Sequence, residues 1–365
     1  MGQPHGIGIV GLGVISGQYL ETLGEDGAVR IAATADLDAA RAQAVADRFP
    51  GARALTVDEL VADPAVQTVL NLTIPAAHGE VARAALRAGK NVYGEKPLAA
   101  TFGEAVDVVA AAGPLWVGAA PDTALGTGVQ TARAVVDAGE IGRPVSAVAT
   151  WVSSGHEAWH PHPDFYYRAG GGPLFDMGPY YLTALFHLLG PVARVTGAST
   201  RSRDERTIGS GPRAGERIPV EIDTHVTGVL EHVGGAVSTV TFSFDAAGTH
   251  AAPIEVHGET GSLALPDPNL FDGDVSLRRP GDPDWTVLAP RAGYRGAGRG
   301  IGLLDFVRGG EGAGRAGGAV ALHVLEIMSA LDASARERRS IALTTTAERP
   351  SPVPLTERSH WRTTP

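Results

Sequence analysis

The sequence predicts an α/β chain in two parts: a doubly wound parallel sheet, then an α+β region built on a large, mostly antiparallel open sheet. Three observations carry this expectation. Residues 6–92 alternate short apolar runs with helical patterns: GIGIVGLG and ISGQYLETLG, VRIAATAD and LDAARAQAVADRF, VQTVLNLT and AAHGEVARAALRAG, then KNVYGEK. Strands alternating with helices of this length imply right-handed βαβ crossovers. From residue 145 the chain becomes strand-rich, with VSAVATWV (145–152), IDTHVTGVLEH (222–232), AVSTVTFSFD (236–245) and PIEVHGETGSLAL (253–265). Finally, 365 residues leave room for two domains at roughly 150 residues each.

The remaining elements follow in order. A helix over 102–112 and the strand PLWVGAA (114–120) complete the first half, which places the boundary near Pro121-Asp122 and the two domains at 1–121 and 122–365. A helix over 125–138 ends at Gly139 and the turn around Gly142-Arg143-Pro144. Val233-Gly234-Gly235 lies between two alternating runs and marks a hairpin. Helices are expected over 173–190, after Gly170-Gly171-Gly172, and over 318–338. The glycine-rich stretch 293–318 reads as a loop, and the Pro-rich end, AERPSPVPLTERSHWRTTP, as a loosely docked tail.

Composition narrows the function. With 44% hydrophobic and 19% charged residues the chain is globular, and a net charge of −10 disfavours general attraction to nucleic acid. Without cysteine there is no disulfide or thiolate chemistry. The start lacks the charged and apolar segments of a signal peptide, and no apolar run approaches the ~20 residues of a membrane span. A cytoplasmic protein with no membrane partner is expected.

Gly11-Leu12-Gly13-Val14-Ile15-Ser16 stands directly after a strand and before a helix. Gly11 permits a tight turn, Gly13 lets backbone approach a pyrophosphate, and the helix N-terminus offers N–H groups to phosphates, as in a Rossmann fold. Ser16 replaces the usual third glycine. The second strand ends at Asp36, about 20 residues on, where a carboxylate accepts hydrogen bonds from a ribose hydroxyl and repels a 2′-phosphate. Arg41 is the nearest cation. The cofactor expected is NAD rather than NADP; otherwise Asp36 is a helix N-cap.

The next strands end in Asn71-Leu72-Thr73-Ile74-Pro75 and Gly94-Glu95-Lys96-Pro97, and ligands of open parallel sheets bind outside the carboxyl ends of strands. Thr73, Pro75, Glu95 and Lys96 therefore belong to the dinucleotide crevice, with Glu95 pairing a hydroxyl or capping a backbone amide. Lys96 is one of two lysines among 30 basic residues. Unlike arginine, it can give up its proton, and burial lowers an amine's pKa.

The segments GLGVIS (11–16), ALRAGKNVYGEKPLA (85–99), AVVDAGEIGRPV (134–145) and GGGPLFDMGPYYLTALFHLLG (170–190) resemble the Gfo/Idh/MocA family of glucose–fructose oxidoreductases and inositol dehydrogenases. The resemblance runs on through VHGETGSLALPDP (256–268). It implies that Lys96 lies by the nicotinamide and the substrate carbinol, that the helix after the glycines supplies Asp176 and the residue four positions on, and that His78 lies near the nicotinamide. It also implies a homodimer or homotetramer. The family's histidine at that fourth position is Tyr180 here. Residues i and i+4 share a helix face, but an unperturbed tyrosine titrates near ~10. Proton transfer is therefore assigned mainly to Lys96, with Asp176 and Tyr180 orienting substrate hydroxyls; Tyr180 with a pKa lowered by Lys96 is the other possibility.

The loop SSGHEAWHPHPDFYYRAGGG (153–172) concentrates histidine and aromatic residues. His160-Pro161-His162 does not have zinc-helix spacing, so no metal is expected. Rings stacking on a sugar face explain the composition better, which makes His156, Trp159, His160, Tyr166 and Arg168 substrate candidates; histidines that only build the loop are the plainer alternative. The function expected is an NAD-dependent oxidoreductase moving hydride to or from a hydroxyl-bearing carbon of a sugar, sugar acid or cyclitol, with Lys96 as acid/base. Two readings compete: an NAD-dependent glycosidase working by transient oxidation, elimination and water addition, and a non-catalytic dinucleotide-binding sensor.

Overall fold

In a computed structural model, which describes residues 3–24, 26–309 and 314–361, the alternation of the first third becomes six parallel strands. These are β1 (His5–Val10), β2 (Val29–Ala35), β3 (Arg53–Ala54), β4 (Thr68–Asn71), β5 (Asn91–Gly94) and β6 (Val117–Ala119). They run in the order β3-β2-β1-β4-β5-β6, with every neighbouring pair parallel. The doubly wound expectation holds. Connecting helices are α1 (Ser16–Leu23), α2 (Ala39–Ala46), α3 (Val57–Ala62), α4 (Pro75–Arg87) and α5 (Phe102–Ala111). Local chemistry sets their starts: Asp38 caps α2, while α3 and α5 begin with capping boxes, Thr56 with Glu59 and Thr101 with Glu104. The order reverses between β1 and β4, and ligands of such sheets bind at that switch point.

The chain divides into two compact units, but not by one cut after Pro121. The first comprises residues 1–130, 290–322 and 350–365, the second 131–289 and 323–349. Chain that the sequence assigned to one C-terminal domain therefore returns to the first unit. Within 293–318 the expected loop contains the helix Ile301–Arg308, whose leading amides at Gly300 and Gly302 donate to the buried Asp122 carboxylate at 2.8 and 3.0 Å; residues 310–313 lie outside the described residues. The Pro-rich end is tied down more firmly than expected. Val353 is buried and its N–H donates to Gln130 at 3.0 Å, and the buried Trp361 donates Nε1–H to the Arg295 carbonyl at 2.9 Å.

The second unit is built on a nine-stranded sheet that is antiparallel except at one pair. After α6 (Thr127–Asp137) come β7 (Pro144–Val152), α7 (Gly172–Leu189), β8 (Val192–Thr200), β9 (Glu205–Thr207), β10 (Arg217–Pro219), β11 (His225–His232), β12 (Val237–Ser243), β13 (Ile254–Gly258), β14 (Ser262–Leu265), β15 (Val275–Arg278), β16 (Thr286–Leu288) and β17 (Ile341–Ala342). The sheet order is β16-β15-β14-β13-β7-β12-β11-β8-β17, while β9 and β10 form a separate ribbon. Val233-Gly234-Gly235 does turn a hairpin, with Glu231 opposite Val237. The run 253–265, read as one strand, is two, β13 and β14, folded back through Gly258–Gly261.

Alternation gives the sheet one inner face. Val226, Leu230 and His232 point inward from β11, and Tyr181 of α7 meets Phe242 of β12 edge-on at 5.8 Å. Gly197 and Gly228 let the helix Gly318–Glu337 approach closely: a Cβ on either would come within 2.5 Å of Leu331. That helix is long and apolar enough to cross a membrane by length and composition alone, and most of it is buried.

Two buried histidines make this unit acid-sensitive. His232 bridges the Gly190 carbonyl at 3.0 Å and Ser238 Oγ at 2.8 Å, and burial lowers its pKa to about 4; burial and the charges of Arg133 and Arg349 lower His187 to about 3. Both rings are neutral in the fold and take up protons on unfolding once pH drops below about 6.5, so stability falls as pH goes from 6.5 toward 4. Urea titrations at pH 7.5 and 4.5 should differ by about 2 kcal/mol or more, and His232→Gln should flatten that slope. Equal stability at the two pH values would show that these rings are protonated in the fold.

Candidate active site

At the end of β1 the backbone turns through Gly11, which has φ +89°. A side chain there is strained in conformation and also has no room: its Cβ would lie 2.7 Å from the Leu72 carbonyl. Around Gly13, by contrast, nothing lies within 4 Å of a Cβ position, so the turn is open on the side where a phosphate approaches α1. Ser16, at the third-glycine position, is buried and donates its hydroxyl to the Gly13 carbonyl at 2.7 Å. The serine thereby secures the turn. Ile15 is the residue that enters α1.

Asp36 is tied into this turn. Its carboxylate accepts the Leu12 N–H at 2.7 Å and the Asp38 N–H at 2.9 Å, and Arg41 reaches it at 3.3 Å. The helix cap of α2 is Asp38, not Asp36. A carboxylate has about four acceptor positions, so a ribose hydroxyl can share it. Val14, Leu37 and Ile74 are large apolar side chains left exposed after β1, β2 and β4. Sequence reading found Val14 only; nothing local marks a leucine or isoleucine as solvent-facing. Single exposed apolar residues are ordinary, but three at the carboxyl ends of adjacent strands mark a surface meant to be covered. The crevice thus fits a dinucleotide: an open glycine turn, a carboxylate beside it and an apolar rim.

The Lys96 turn lies at the end of β5, two strands from β1, or roughly 10 Å across the sheet. Lys96 is partly buried, and its peptide bond to Pro97 is cis. Glu95 accepts the Tyr19 hydroxyl at 2.8 Å and the Lys96 N–H at 3.0 Å. It is buried, as is His78. Nδ1 of His78 lies 2.6 Å from the Pro97 carbonyl and Nε2 3.0 Å from the Thr73 carbonyl. Carbonyls only accept, so the nitrogen that bears the proton is the one that donates, and the ring lies between the Thr73 and Pro97 turns. Thr73 in turn donates its hydroxyl to Asn71 at 2.6 Å, and Pro75 starts α4. Of the residues expected to touch cofactor, Glu95 and His78 thus hold the frame, while Gly13, Val14, Asp36, Thr73, Pro75 and Lys96 remain accessible at the crevice.

In the second unit, α7 carries Asp176 partly exposed and Tyr180 buried one turn on. An imidazole does meet Asp176, from another element: His156 Nε2 lies 2.8 Å from Asp176 Oδ2. His156 stands in a single turn of 3₁₀ helix, His156–Ala158, and is 8% exposed, boxed by Tyr166, Phe244, Trp159 and Trp151 with ring centroids at 4.3, 4.8, 5.2 and 5.9 Å. The rest of the loop divides. Trp159 and Arg168 are exposed; His160 and Tyr166 are partly buried in the same aromatic cluster. Burial, then the neighbouring His156, lowers the His160 pKa, and its Nδ1 accepts the His162 N–H at 3.0 Å.

The turn carrying His156 is anchored by buried charge. Glu157 accepts from Arg206 at 2.8 Å and from the Tyr167 hydroxyl, and the other end of the same guanidinium pairs with Asp245. Tyr167 packs with Ile208, Ile218, Val220 and Phe244 under the β9–β10 ribbon. Sequence reasoning missed this support, because Glu157, Arg206 and Asp245 come from separate segments.

Residues 5–114 match the family described as oxidoreductase family, NAD-binding Rossmann fold, and residues 129–264 match the GFO/IDH/MocA C-terminal domain. The chain is 30% identical over 269 residues to inositol 2-dehydrogenase 1 of Saccharopolyspora erythraea, covering 71% of this chain and 74% of that one. It is 31% identical over 227 residues to 1,5-anhydro-D-fructose reductase of Ensifer adhaerens, covering 58% of this chain and 61% of the reductase. Among solved structures, an NAD binding oxidoreductase from Klebsiella pneumoniae superposes with a TM-score of 0.82 at 24% identity, over 94% of this chain and 100% of that one.

Proposed function

The chain belongs to the Gfo/Idh/MocA oxidoreductases, and from that premise we propose that it is an NAD-dependent oxidoreductase acting on a CH–OH group of a sugar, sugar acid or cyclitol. The observation that carries the reading is the placing of Lys96: an amine at the carboxyl end of β5, on the ligand-binding edge of a sheet whose glycine turn and Asp36 suit a dinucleotide. Gly11, Gly13 and the start of α1 hold the phosphates, and Asp36 accepts from the ribose. A bound nicotinamide supplies the hydride acceptor. Lys96 takes the proton of the substrate hydroxyl, and its turn is set for this by Glu95 on one side and His78 on the other. Asp176 and Tyr180, one helical turn apart on α7, orient substrate hydroxyls. The aromatic loop suits the faces of a polyhydroxylated ring through Trp159, with Arg168 available at its edge.

The test is NADH formation over a panel of inositols, 1,5-anhydrohexoses, hexoses, pentoses and aldonic acids, run with NAD and NADP in parallel. Turnover with NAD is expected, and none with any member would refute the assignment. Asp36→Ala should lower the NAD-to-NADP preference in kcat/KM by about tenfold or more, the worth of a charged hydrogen bond and a lost repulsion. Because Asp36 also braces the Leu12 N–H, KM should rise for both cofactors, so the ratio is the quantity to read. An unmodified protein that already prefers NADP would contradict this role for Asp36.

A further inference from the structure

We infer that His156 is the positioning residue for Asp176, holding its carboxylate in the orientation that the substrate meets; this rests on the oxidoreductase reading above. The residue one turn on from Asp176 in α7 is Tyr180, which is 6% exposed. The imidazole that reaches Asp176 comes instead from twenty residues earlier in the chain.

Three features make this a fixed support rather than a chance contact. An ionised carboxylate only accepts, so Nε2 bears the proton and donates it to Asp176 at 2.8 Å. The other ring nitrogen, Nδ1, is buried and has no hydrogen-bond partner among the described residues. The ring lies among Tyr166, Phe244, Trp159 and Trp151, and its side-chain hydrogen bond among the described residues is the one to Asp176. Thirdly, the backbone beneath it is fixed: Gly155 has φ +104°, and the next residue, Glu157, is gripped by the buried Arg206.

An aspartate that accepts a directed hydrogen bond loses side-chain freedom that would otherwise have to be frozen during reaction, which is where preorganisation contributes to rate. Removing the bond should therefore lower kcat more than it raises KM.

The experiment uses the full chain with NAD and the most rapidly oxidised compound of the panel. His156→Gln keeps a donor near the Nε2 position, whereas His156→Asn falls short of Asp176 and His156→Phe fills the box without a donor. Phe and Asn variants should lose about 10- to 100-fold in kcat, with KM changed by less than about threefold and NADH affinity unchanged; Gln should recover most of the loss. In an Asp176→Asn background the same replacements should cost nothing further. Full activity in the Asn and Phe variants overturns the proposal, as does a loss undiminished in the Asp176→Asn background. Should Phe fail to fold, the Gln–Asn contrast reads the same bond.

A second readout does not need turnover. With 15N-labelled histidine, a slowly exchanging His156 Nε2–H signal is expected downfield and should vanish in Asp176→Asn. Its absence from the unmodified protein overturns the bond itself. Its presence in a protein that oxidises no panel compound removes the oxidoreductase reading, and the positioning role with it, while leaving the bond intact.

Discussion

Replacing Lys96 with methionine is expected to lower turnover by about 10²- to 10⁴-fold, the usual contribution of a positioned general acid or base. Methionine keeps the length and apolar stem of the side chain and removes only the amine. The turn keeps two hydrogen bonds that do not use Nζ: Glu95 takes the Lys96 backbone N–H at 3.0 Å, and His78 lies 2.6 Å from the Pro97 carbonyl. NADH affinity, followed by nicotinamide fluorescence, should therefore change by no more than a few fold. Arginine at this position should rescue little, since its guanidinium stays protonated. The same pair of proteins separates the competing chemistry: release of an aglycone from aryl glycosides without NADH accumulation, abolished in Lys96→Met, would transfer the assignment to the hydrolytic cycle. Turnover unaffected by Lys96→Met would remove Lys96 as the acid/base, and a protein that binds NADH but turns over no panel compound would join the dinucleotide-binding sensors.

The second large effect is on stability. Arg206→Met should cost the second unit about 3–5 kcal/mol, on the order of 10 °C in the midpoint of thermal unfolding. The guanidinium is almost wholly buried and forks between two acids, with one end on Glu157 and the Ser154 carbonyl and the other on Asp245 and the Phe244 carbonyl. Its plane also lies over the Tyr167 ring at 5.5 Å. Methionine fills much of the volume but leaves the buried Glu157 and the half-buried Asp245 without this cation, which is the expensive way to break such a pair. Arg206→Lys should recover less than half, because one ammonium cannot reach both acids in this geometry. Calorimetry on the three proteins checks this, and a midpoint for Arg206→Met within 2 °C of the unmodified protein would show that the network contributes only shape.

The parts of this architecture that were legible are those whose signal is local. The glycine turn at 11–13, the Asp36 that ends β2 and the strand ends at Asn71 and Gly94 all fall within single βα units, where periodicity and turn chemistry act over a dozen residues. The Val233–Gly235 hairpin was readable for the same reason. Elements set by distant partners were not. Strand β8 begins inside PVARVTGAST, whose alternation is poor because Gly197 faces a helix more than 130 residues away, and the helix Ile301–Arg308 is hidden between glycines at 300 and 309.

The site divides along the same line. Lys96, Asp176 and the aromatic loop could be picked out only as candidates, by residue type and motif. That His156 would donate to Asp176 rather than stay available to a ligand, and that Glu95 and His78 would be buried supports, depended on side chains from separate elements meeting. No spacing within one segment encodes such a meeting.

The nucleotide half is assembled from three separated stretches of chain, and that has a consequence during synthesis. Its six strands leave the ribosome first, yet Gln130 waits for Val353 and Arg295 for Trp361 before either hydrogen bond can form. The portion translated earliest is finished last, so the nascent β-sheet must endure unsealed while the other unit is being made.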